Sequence, residues 1–137
     1  MARFLILDSE ALSALARGSR RSAELRRAQV VLTSAHRMGA LVRVPAAVLV
    51  EVYRGRKDDA AVDFAIKRIG RVVPAGQSIA KLAGRLLARH RLDSAHAVDA
   101  LVVATAIRLG GGLIATHDPD DLGRLATEYP NVKTLAI

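Results

Sequence analysis

The sequence predicts an α/β fold, a three-layer α/β/α sandwich around a central, mainly parallel sheet of four to five short strands. Two observations carry that expectation. Short apolar runs such as Phe4-Leu5-Ile6-Leu7 and Leu113-Ile114-Ala115-Thr116 lack the polar alternation of a half-solvated strand, as expected where both faces are covered. Longer segments with helix start and stop signals separate these runs, so strands and helices alternate throughout. The chain has 137 residues, 51% of them hydrophobic, enough for one core, and it contains no repeat, low-complexity tract or linker. A single domain over residues 1–137 is expected.

Residues 3–7 read as the first strand, and Asp8 or Ser9 can cap a helix that runs to Gly18. Ser19 can cap a longer helix from Arg20 to Met38, stopped by Gly39. Leu41 to Val44 is a second strand, and Pro45 suits the first turn of a helix through Arg54. Residues 55–59 read as a loop, Ala60 to Ile69 as a helix ended by Gly70, and Arg71-Val72-Val73 as a third strand. After a turn at Pro74-Ala75-Gly76 comes a helix from Ile79 to about His90. Ser94 is placed to cap the most apolar helix, which the glycines 110–112 end. Leu113 to Thr116 is the fourth strand, Asp118-Pro119 opens a short helix to Ala126, and Val132 to Leu135 is the last strand.

Composition narrows the chemistry. With no cysteine there is no disulfide, thiolate nucleophile or Cys-based zinc site, and a reducing cytoplasm is the default. The four apolar residues before Asp8 are too few for a signal-peptide core, and no stretch approaches a membrane span, so a soluble, unexported protein without a membrane partner is expected. Aromatics are 3% of the chain, which disfavours recognition by base stacking. The net charge is +8, and of 21 Lys and Arg residues 17 are Arg, the better fork for phosphate or carboxylate. A polyanionic partner fits that charge, although an Arg-preferring genome also accounts for the Arg excess.

Four carboxylates stand against the apolar background. Asp8 ends the first strand, Glu51 follows Ala46-Ala47-Val48-Leu49-Val50, Asp99 interrupts Ala97-Val98 and Ala100-Leu101-Val102-Val103-Ala104, and Asp118 follows the fourth strand. Lone buried carboxylates are costly, so these need pairing, hydrogen bonds or a cation. Ligands of open α/β sheets bind at the carboxyl ends of strands, where all four segments can deliver oxygen donors. Oxygen-only ligands suit Mg²⁺ or Mn²⁺, whose bound waters are acidic enough to serve phosphodiester hydrolysis.

These motifs, in their order and separation, resemble the PIN-domain ribonucleases, and within them the toxins of VapBC toxin–antitoxin pairs. The resemblance rests on residues 4–12, on Val44 to Arg54, on Ala97 to Ala104 and on Ile114 to Leu122, and so spans nearly the whole chain. It implies a PIN-like sandwich in which Asp8, Glu51 and Asp99 are the three principal acids and Asp118 the fourth, more variable one. Thr116 then matches a polar position that helps hold the site, Asp120 a further acid acting through water, and Asp121 a helix-surface residue. It further implies a Mg²⁺- or Mn²⁺-dependent endoribonuclease leaving 5′-phosphate and 3′-hydroxyl ends. Such a toxin homodimerises and is inhibited by a VapB-type antitoxin whose C-terminal segment enters the active-site groove.

Plainer readings stand beside these. Asp8 and Asp118 occupy helix-cap positions, and Glu51 alone could be a solvated side chain. His36, His90, His96 and His117 lack zinc-binding spacing and read as surface or boundary residues, with His117 next to Asp118 able to touch a phosphate. Arg20-Arg21 and Arg26-Arg27 could line an RNA path or form a solvated helix face. A non-catalytic RNA-binding or regulatory PIN-like protein is the alternative function, and retention of every acid argues against it. A phosphoacceptor receiver domain would need a paired acid near the first strand and a Lys after a late one, and has neither here.

Overall fold

The computed structural model describes residues 3–18 and 22–137. Among them, five strands form one sheet: β1 (Phe4–Leu7), β2 (Leu41–Pro45), β3 (Arg71–Val73), β4 (Gly112–Thr116) and β5 (Val132–Ala136). Every pairing is parallel, in the order β3-β2-β1-β4-β5. The helices are α1 (Ser9–Arg17), α2 (Ala23–Arg37), α3 (Val48–Val52), α4 (Asp59–Ile69), α5 (Gln77–Arg89), α6 (Ala97–Arg108) and α7 (Pro119–Leu125). Helix α1 packs on α2, α3 and α4, while α6 packs on α5 and α7. The chain runs from β1 outward to β3, then returns to β4 and continues to β5. Right-handed crossovers therefore set the two helix groups on opposite faces, giving the expected three layers.

Burial follows from that layering. Leu5, Ile6 and Leu7 of β1, Val44 of β2 and Ile114 and Ala115 of β4 are all buried, as a strand covered on both faces requires. Helix α6 buries Ala100 and Val102 to Ala106 and is apolar almost all round. Its buried Thr105 satisfies its hydroxyl by donating to Leu101 O at 2.7 Å.

Several boundaries differ from expectation by a few residues, three of them for a clear local reason. Helix α2 is capped by Ser22, whose hydroxyl accepts Leu25 N–H at 3.1 Å; Ser19, Arg20 and Arg21 lie outside the described residues. Pro45 ends β2 rather than opening α3: it pairs with Val73, and Ala46 N donates to Val73 O at 2.9 Å, continuing a ladder to which proline has no N–H to give. Ser94 lies inside a 3₁₀ turn, Ser94–His96, that leads into α6, and Asp93 is its cap, accepting from Ala95 N at 2.9 Å. Glu51 lies on the helix after β2, as expected, though the shorter α3 puts it in the first turn, and Asp99 lies in the first turn of α6.

The order of the sheet reverses between β1 and β4, whose register pairs Leu7 with Ala115. Both strands end in an acid or lead into one, so the crevice beyond their carboxyl ends is the place where this topology puts a ligand.

Candidate functional site

Asp8 is the residue at which β1 turns into α1. Its backbone N–H donates to Ala115 O at 3.3 Å, holding it to the neighbouring strand, and its carboxylate accepts Ala11 N–H at 3.0 Å as the N-cap of α1. The side chain is buried, and that burial pushes the carboxyl up to about 6. A hydrogen bond from the Thr116 hydroxyl and the Ala11 N–H oppose the rise, and the nearby Glu10 charge adds to it. Thr116 is itself fully buried at the end of β4, and its Oγ1 accepts the Asp118 N–H at 3.0 Å. One hydroxyl thus binds both the Asp8 carboxylate and the backbone of Asp118.

Asp118 holds the N-cap position of α7, yet its carboxylate makes no capping bond and is left exposed. Asp99 is half-buried, and its carboxyl is raised first by burial and then by the Glu51 charge, with smaller contributions from Asp118 and Asp121; His96 pulls the other way. Glu51 accepts a short hydrogen bond from the Ser9 hydroxyl, which ties α3 to the first residue of α1. The four predicted acids are thus linked in two ways: Asp8 to Asp118 through Thr116, and Asp99 to Glu51 and Asp118 through their fields. Asp120 is exposed on α7, and it is the adjacent Asp121 whose charge acts on Asp99.

Around these acids the surface is polar and notched. Glu10 and His117 Nδ1 approach to 3.9 Å beside a cavity of about 250 Å³ that Ser13, Arg17 and Ser22 also line. A second cavity of about 250 Å³ is bounded by Ser9, Glu10, Ser13, Glu51, Arg54 and Arg56. Arg17 forms its floor: Nη1 donates to Val52 O at 2.5 Å, Nη2 binds Asp59, and Nε faces Asp58 at 3.1 Å. Sequence reasoning missed Ser9 as a partner of Glu51, and it missed the Arg17–Asp59 pair, which spans 42 positions.

A divalent cation suits this donor set. The acids are oxygen ligands without thiolates, and the mutual repulsion that raises Asp99 is what a cation would relieve. Among the described residues no three acidic or histidine side chains converge as a preformed cage.

A family model, the PIN domain, matches residues 5–128. No curated protein matches the chain. Among the solved structures that match is VapBC2 from Rickettsia felis, bound to a DNA fragment from the promoter of its genes. It is 11% identical, with 98% of each chain covered and a TM-score of 0.67. At that identity the likeness speaks for the fold.

Proposed function

The chain belongs to the PIN-domain family, and from that premise we propose that it is the VapC-type toxin of a type II toxin–antitoxin pair, a metal-dependent endoribonuclease. What carries this reading is Asp99, a half-buried carboxylate in the first turn of a largely apolar helix, whose carboxyl is raised by burial and by the charges of Glu51 and Asp118. Three of the four charges that act on it are acidic, those of Glu51, Asp118 and Asp121, and they outweigh the opposing His96, whereas a structural ion pair sets an acid mainly beside a base.

In this reading Asp8, Glu51, Asp99 and Asp118 hold Mg²⁺ or Mn²⁺. The bound ion would supply a more acidic water for attack on phosphorus and neutralise charge on the phosphoryl oxygens. The protein's own part is positioning. The Thr116 hydroxyl acts on the Asp8 carboxylate and accepts the Asp118 backbone N–H, and the Ser9 hydroxyl binds Glu51. Asp120 and Asp121 extend the acidic rim along α7. The net charge of +8 favours association with a polyanion such as RNA. The rest of the proposal is a single PIN domain that works in the cytoplasm as a homodimer. A VapB-type antitoxin is its inhibitor, in a complex of the kind seen on promoter DNA for the Rickettsia felis pair.

The test is cleavage of total RNA by the purified protein in Mg²⁺, in Mn²⁺ and in EDTA, beside an Asp8→Ala/Asp99→Ala control. Discrete metal-dependent fragments that disappear in the control support the reading. Intact RNA in every lane, from protein that mass spectrometry shows to be free of a bound inhibitor, overturns it in favour of the non-catalytic RNA-binding alternative.

A further inference from the structure

Residues 54–56 wrap around a single carboxylate. Asp59 accepts the backbone N–H groups of Arg54 at 3.0 Å, Gly55 at 2.7 Å and Arg56 at 3.2 Å, and Arg17 binds the same side chain from α1. Gly55 takes φ +70, the left-handed conformation that favours glycine, which lets three successive N–H groups converge on one anion. With the backbone turned inward, the side chains of Arg54 and Arg56 are left at the rim of the cavity that also holds Glu51 and Ser9.

The arginines of this region divide by role. Arg17 is consumed by Val52, Asp58 and Asp59. Among the described residues no carboxylate pairs with the Arg54 guanidinium, and Arg56 has only an exposed contact to Asp58 at 3.5 Å, a kind of pair worth little in water. Two exposed guanidinium forks are therefore presented by a fastened turn, three and five positions beyond Glu51 and lining the same cavity. A fork of this geometry binds phosphate in two parallel hydrogen bonds. An anchored turn also spares much of the ordering cost that a free loop would incur on binding.

We propose that Arg54 and Arg56 form a subsite for RNA backbone phosphates flanking the scissile one, with Asp59 and Arg17 as the positioning residues that hold the turn. The proposal rests on the nuclease reading for its substrate, and its test does not need cleavage. The affinity of a fluorescent single-stranded RNA oligonucleotide is measured in EDTA over a series of salt concentrations, with Asp99→Asn protein as the parent. Each phosphate contact on a single strand contributes about 0.7 to the slope of log affinity against log salt. Adding Arg54→Ala and Arg56→Ala should make that slope shallower by about 1.4, twice the single-contact value. Arg54→Lys/Arg56→Lys should retain the slope and bind more weakly, since charge survives but the fork does not. Arg37→Ala/Arg68→Ala, which removes equal charge from helix ends preceding β2 and β3 at the opposite edge of the sheet, should leave the slope near the parent's.

Equal slopes for the Arg54/Arg56 variant and its parent overturn the subsite, even if wild-type protein cleaves RNA normally. A shallower slope upholds it, even if wild-type protein never cleaves and the nuclease reading falls. In active protein the same two substitutions to Ala should raise KM and leave kcat close to its original value, because the contact is made before and during the reaction alike.

Discussion

Thr116 Oγ1 accepts the backbone N–H of Asp118 at 3.0 Å while its hydroxyl serves the Asp8 carboxylate, so the ends of two adjacent strands are joined through one buried side chain. Thr116→Val keeps the shape and removes the oxygen. It should destabilise the protein by about 1–3 kcal/mol, because a part-buried N–H loses its partner, and it should weaken cleavage by letting the two acids drift apart. Thr116→Ser should retain most of both properties. Melting and cleavage rates of the two variants, measured together, check this.

Asp8 makes the stability of the metal-free protein depend on pH. Its carboxyl titrates at about 6 in the folded protein, above the ordinary value of 3.8, so the fold prefers the neutral form. That contribution is fully present below the unfolded value and is lost as pH rises through about 6. Asp8→Asn stays uncharged and can still accept the Ala11 N–H as a cap. In EDTA at neutral pH it should therefore be more stable than wild type by up to about 3 kcal/mol, since each tenfold change in the protonation equilibrium is worth roughly 1.4 kcal/mol. The gap should close in acid. Melting temperatures across a pH series, with and without Mg²⁺, provide the measurement, and added Mg²⁺ should stabilise wild type more than the variant.

Asp99→Asn removes the charge that Glu51 and Asp118 repel. Cleavage should fall by at least about 100-fold, since residues that merely support a metal ligand already cost roughly 10–100-fold. Without metal the melting temperature should rise, because burial and neighbouring acids both disfavour the ionised form. Antitoxin binding should survive. Single-turnover cleavage and a thermal melt in EDTA test the two halves independently.

Asp59 has the opposite linkage. The N–H groups of Arg54, Gly55 and Arg56 and the Arg17 guanidinium hold its carboxyl below the usual carboxylate range. The stability it contributes is present above the unfolded pKa and is lost as pH falls through the lowered folded value. Asp59→Ala should therefore lower the melting temperature at neutral pH, with the difference shrinking in strong acid, and it should raise KM for RNA by releasing the turn. A melt and a substrate titration on the same preparation check both effects.

Most of the fold was legible because it depends on local signals. Phe4 to Leu7 and Leu113 to Thr116 are apolar without alternation, which only a two-sided sheet explains, and Asp8, Gly39, Gly70 and Pro119 mark helix boundaries by simple backbone chemistry. The misses fell at element starts, where a neighbouring residue or a strand partner takes the role that a single local signal suggests. Ser19 reads as the cap of the second helix, but the chain three residues on offers Ser22 and the structure uses it; Pro45 reads as a helix start, and pairing with β3 makes it the end of a strand. Ser94 reads as the cap of the apolar helix, and it is the preceding Asp93 whose carboxylate reaches the Ala95 N–H.

The acids Asp8, Glu51, Asp99 and Asp118 stood out in one dimension because each interrupts apolar surroundings, and the cost of burying charge makes such interruptions meaningful. Their individual environments did not stand out. That Asp8 is buried against Thr116 while Asp118 stays exposed, that Ser9 rather than a backbone group holds Glu51, and that Asp121 rather than Asp120 acts on Asp99 depend on how strands and helices from distant parts of the chain meet. The same holds for the Arg17–Asp59 clamp and the turn it fastens. By itself the sequence determined the alternation of elements and the identity of the acids, since backbone propensity and the cost of burial act residue by residue. Tertiary structure alone decided which acids feel one another and which arginines remain free for a ligand, because fields and hydrogen bonds act across distances in space that have no counterpart in chain order.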